Sequence, residues 1–240
     1  MVDPFQIAAF TYLTKGLTRP AVDGLGEIVR DQLDSWRAQN LRRILEKADG
    51  KLALNTQGRV ALNPKVVFKI AELGSLEDNA ELQDMWAGLL STSKGDDSNL
   101  HYVEILGGLT SYQALIIKCI CTRVRVLADW QGLVFTEDVI NLTPDELLET
   151  IGVKDIRILD QTLDDLHRKG LTDGQLYTRD SNAAVALEPT ALLLQFYSHV
   201  SGSADPVDFY KAKIISGVPN VYPTTVVEGT SDTVAGQSVH

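Results

Sequence analysis

Apolar residues in the first part of the chain recur at the three- and four-residue steps of an amphipathic helix. Val66, Val67, Ile70 and Leu73 follow Asn63 and Pro64, which suit an N-cap and a first helical position; Gly74 suits a left-handed terminator. Leu82, Met85, Trp86, Leu89 and Leu90 come next at i, i+3, i+4, i+7 and i+8, a wide apolar face. Ser75 is the expected cap of that second helix, with Glu77 and Asp78 in its first turn opposing the positive end of the helix dipole. The pattern predicts an αα-hairpin with a very short connection. Upstream, Val29, Leu33, Trp36, Leu41, Ile44 and Leu45 line another helical stripe, and Gly50 is its expected end. Asn40 falls on or beside this stripe. It can hydrogen-bond a partner helix and fix register, but a local backbone or water bond is the plainer expectation.

From residue 100 onward the pattern changes. Leu109, Tyr112, Leu115, Ile116, Cys119 and Ile120 mark a helix, and residues 133–136 form a β-rich run. Thr143 and Pro144 start a second helix, closed by Gly152. A third runs from about Asp155 to Lys169, with Ile156, Leu159, Leu163 and Leu166 inward and Gly170 closing it. Residues 175–179 and 184–188 read as two strands around Asp180, Ser181 and Asn182, followed by a helix carrying Leu192, Leu193, Phe196 and Tyr197. Helix, strand, helix, helix, hairpin, helix is the order of a winged-helix domain. The expected fold class is therefore mainly α. A helical N-terminal domain (residues 1–98) precedes a winged-helix-like domain with a short β-hairpin (residues 99–202) and an extended or partly disordered tail (residues 203–240). The polar loop at residues 91–99 is the expected boundary.

Composition narrows the function classes. A chain of 240 residues that is 44% hydrophobic can bury a normal core. A formal net charge of −10 argues against general affinity for nucleic acid or anionic lipid. Arg37, Arg42, Arg43 and Lys47 are the densest basic group, but Asp31, Asp34 and Glu46 lie among them, so a solvated helix face is expected. No window supplies the roughly 20 apolar residues of a membrane span. The opening lacks a basic region and a cleavage site, which makes the cytoplasm the default compartment.

The segments SWRAQNLRRIL, LNPKVVFKIAELGSLEDNAELQDMWAGLLSTS and VEILGGLTSYQALIIKCI resemble the bacterial abortive infection alpha family over roughly residues 20–200. The likeness rests on Trp36, Arg37, Asn40, Pro64, Leu82, Trp86, Leu89 and Leu90, most of which are packing residues. It implies a role in phage resistance, in which an infected cell stops growing or dies. The family pattern carries no catalytic residues.

The residues themselves offer little chemistry. His101, His167, His199 and His240 have no spacing suited to a metal or a triad, and no glycine-rich phosphate loop follows a strand. Cys119 and Cys121 are too few for a zinc site and read as core or boundary residues. Glu77, Asp78, Glu81 and Asp84 lack the spacing of a calcium loop and read as a solvated helix start. A winged helix raises the question of DNA. Arg157, Gln161, Arg168 and Arg179 are the candidate contacts, yet acids outnumber bases ten to five over residues 143–188. The expected protein is non-enzymatic, needs no cofactor or metal, and works with a protein partner or as a homo-oligomer. DNA binding by a winged helix is the alternative. A second alternative is membrane action through Phe5, Ile7, Ala8, Ala9, Phe10, Tyr12, Leu13 and Leu17. That apolar stretch is expected to be covered by the chain's own core, by a second copy or by a membrane interface, in that order of preference. At the other end, residues 218–227 suit an added strand and residues 230–240 suit disorder.

Overall fold

A computed structural model describes residues 25–54, 62–93, 97–129, 131–174 and 184–214. Within them the chain is mainly α-helical with short antiparallel strands. Helix α1 (Leu25–Leu54) runs straight through Gly50, which therefore does not end it. Nothing within 4 Å meets a Cβ at Gly50, so this glycine is an open position on the helix surface. Helix α2 (Pro64–Gly74) starts as its sequence dictates: the Asn63 side chain accepts a hydrogen bond from the Lys65 N–H, and Pro64 occupies the first turn. Gly74 is the last residue of α2 rather than a left-handed terminator: its own φ is not positive, and the following Ser75 is also right-handed at φ −65°. Its lack of a side chain serves packing: a Cβ there would come 3.1 Å from Ile44 Cδ1 and 3.4 Å from Trp86 Cγ.

Helix α3 (Ala80–Thr92) begins later than the sequence reading placed it. Asn79, not Ser75, is the cap, accepting from the N–H groups of Glu81 and Leu82. The Glu77 carboxylate instead receives the Asn79 N–H at 2.8 Å and shapes the approach to the helix. Helix α3 is the hub of the molecule, with α1, α2, helix α4 (Leu100–Gly107) and helix α5 (Ser111–Arg123) all packed on it. Leu82, Met85, Trp86, Leu89 and Leu90 are buried as the stripe predicts.

Beyond α5 lie strands β1 (Val126–Ala128), β2 (Val134–Thr136) and β3 (Ile140–Leu142), then helices α6 (Pro144–Ile151) and α7 (Ile156–Arg168). Strands β4 (Thr172–Asp173) and β5 (Val185–Pro189), helix α8 (Ala191–Val200), helix α9 (Pro206–Tyr210) and a 3₁₀ turn (Lys211–Lys213) complete the described chain. β1 and β2 pair antiparallel, and the second sheet has the order β3-β5-β4. Thr143 and Glu146 form a capping box at α6, Gly152 ends that helix at φ 72°, and Asp155 caps α7. Ile156, expected inward, lies on the first turn of α7 at 44% exposure; Leu159, Leu163 and Leu166 carry the buried face. One buried cluster runs from Ile44 through Trp86, Ile116 and Leu163 to Tyr210. The expected strand at residues 175–179, the turn at 180–182 and the tail beyond 214 lie outside the described residues, as does the apolar stretch at residues 5–17.

Candidate functional site

Two of the residues that carry the family likeness, Arg37 and Asn40 of α1, bond the α2–α3 connection. Arg37 donates from Nε to Ser75 Oγ at 3.0 Å and from Nη2 to the Glu72 carbonyl at 3.4 Å. Asn40 is fully buried and donates from Nδ2 to the Ser75 carbonyl at 3.2 Å, while its Oδ1 accepts from Gln83 Nε2 at 3.5 Å. Gln83 also donates to the Glu77 carbonyl at 2.9 Å. Asn40 thus bonds across elements rather than locally, because the buried carbonyl of the connection has no helical partner and needs a donor. Burial raises the Glu77 carboxyl above its ordinary 4.5, against the opposing bond from the Asn79 backbone and with a smaller push from Asp78. Pro64 is exposed at the start of α2, and Trp36 is half-buried on α1.

The nearby charges are spent inside the molecule. Arg42 pairs with Glu46, Lys47 donates to the Ala80 carbonyl at 2.8 Å, and Lys51 reaches Asp84 at 3.1 Å. Lys118 pairs with Glu81 at 2.6 Å, so Glu81 and Asp84 face different cations. Among the described residues no group of three or more His, Cys, Asp or Glu side chains is placed to hold a metal ion.

The outer face of α7 presents Arg157, Asp160, Gln161, Asp164 and Arg168. Arg157 bonds Asp155 through Nε at 3.0 Å and Nη2 at 2.8 Å, and Arg168 pairs with Asp165 at 3.0 Å. Asp165 also accepts from Lys169 and from Gln113 of α5, and these two bonds hold its carboxyl below the ordinary 3.8. Gln161 is exposed, and Arg179 lies outside the described residues.

Two features carried weaker sequence signals. Gly88 sits inside the dense stripe of α3, where a Cβ would fall 1.7 Å from the Val200 carbonyl oxygen. Its signal was available: an interior helical glycine costs about 1 kcal/mol against alanine, so an apolar stripe that keeps one implies a close backbone approach. The second feature is the segment after α8. Lys213 donates to the carbonyls of Cys121 and Thr122, both at 2.8 Å, and closes the C-terminus of α5. Tyr210 is buried beneath it with its hydroxyl on the Leu194 carbonyl at 3.3 Å. Cys119 is half-buried; Cys121 is buried, and burial pushes its thiol up to about 12.

The model of the family described as abortive infection alpha matches residues 37–188. The chain belongs to the abortive infection alpha family. No curated protein and no solved structure matches it. The abortive infection alpha match opens at Arg37, whose Nε bonds Ser75 Oγ of the α2–α3 connection, and closes in β5. It therefore covers the Asn40–Ser75–Gln83 network, the α3 hub and the sheet, with Trp36 one residue outside. No described helix of this abortive infection alpha chain is long and apolar enough to cross a membrane.

Proposed function

We propose that this chain is a non-enzymatic anti-phage protein of the abortive infection type, acting in the cytoplasm through contact with a protein partner or with copies of itself. The family match over residues 37–188 carries the reading. Surface chemistry supports the contact mechanism: Leu133 and Phe135 lie on one face of the β1–β2 ribbon at 47% and 39% exposure, and Val139 follows at 45%. Exposed aliphatic and aromatic side chains grouped on one short element favour a protein partner.

The test is phage challenge of bacteria expressing the chain, at low and high multiplicity. Protection at low multiplicity with collapse of the culture at high multiplicity is the expected result. Unchanged phage yield across a broad panel counts against the reading.

A second reading, a winged-helix DNA-binding regulator, draws on the sheet order β3-β5-β4, with β3 before the α6–α7 pair and β4 and β5 after it. Against it stand Arg157 and Arg168, each already held by a carboxylate of the same chain. A gel-shift series in rising salt separates the two: binding that weakens steeply with salt, and that Arg157→Ala and Arg168→Ala abolish, moves the regulator to the front.

A further inference from the structure

We draw no further inference here: the strongest candidate, the apolar outer face of the β1–β2 ribbon on which Leu133 and Phe135 stand exposed, carries none, because nothing in the structure shows what covers it.

Discussion

At the scale of single residues, Gly88 decides how closely α3 can approach the end of α8. Replacing it with alanine favours the helix by about 1 kcal/mol, yet the new Cβ would sit 1.7 Å from the Val200 carbonyl, and backbone cannot step aside as a flexible side chain can. Overpacking of this kind costs about 1–3 kcal/mol, so Gly88→Ala is expected to be less stable than the parent in urea, the reverse of what propensity alone gives. Cys121 offers a second residue-level check. A thiol held near 12 by burial stays protonated and shielded at pH 8, so iodoacetamide should label Cys119 in the folded chain and reach Cys121 only on unfolding. What the sequence made legible at this scale was local. Asn63 caps its helix as read, and Thr143 and Asp155 cap the helices whose starts the sequence placed at them, because their partners lie two or three residues away. Gly74, Ser75 and Asn40 read differently in the sequence because their roles are set by other elements: Ile44 and Trp86 pack on Gly74, Arg37 and Asn40 bond Ser75, and Gln83 bonds Asn40.

At the scale of elements, α7 is fastened to α5 through Asp165, which gathers Lys169, Arg168 and Gln113. A carboxyl held below its ordinary 3.8 in the folded chain contributes its stability in full above that value and loses it as pH falls through the lower folded value. Asp165→Asn is therefore expected to be less stable than the parent at pH 7, and the difference should narrow as urea titrations are repeated below pH 3.8. The amphipathic pattern of α7 was plain because four inward positions repeat at helical spacing, and only Ile156, on the first turn, lies outside the packed interface. β1 gave almost no signal. Three residues are too short for alternation to register, and the strand owes its place to pairing with β2 and to a parallel bridge from Val126 to Ile214.

At the scale of the whole molecule, the sequence suggested a boundary at residues 91–99, where charge and glycine interrupt the helices. The packing crosses that loop: α8 lies on α3, Thr92 Oγ1 donates to the His199 carbonyl at 3.3 Å, and Lys51 of α1 reaches the Ser201 carbonyl at 3.5 Å. Such contacts bind residues far apart in sequence into one core, so unfolding either end removes support from the other. Trp86→Ala in α3 should cost about 3–5 kcal/mol and Leu163→Ala in α7 about 2–5 kcal/mol. For a chain of this size each kcal/mol lowers the melting temperature by about 2–4 °C. With one cooperative core, scanning calorimetry should show each substitution moving a single transition downward by a similar amount. Two units joined at residues 91–99 would behave differently. Trp86→Ala would then split the trace, leaving the part that contains Leu163 to melt at the parent temperature, and Leu163→Ala would do the converse.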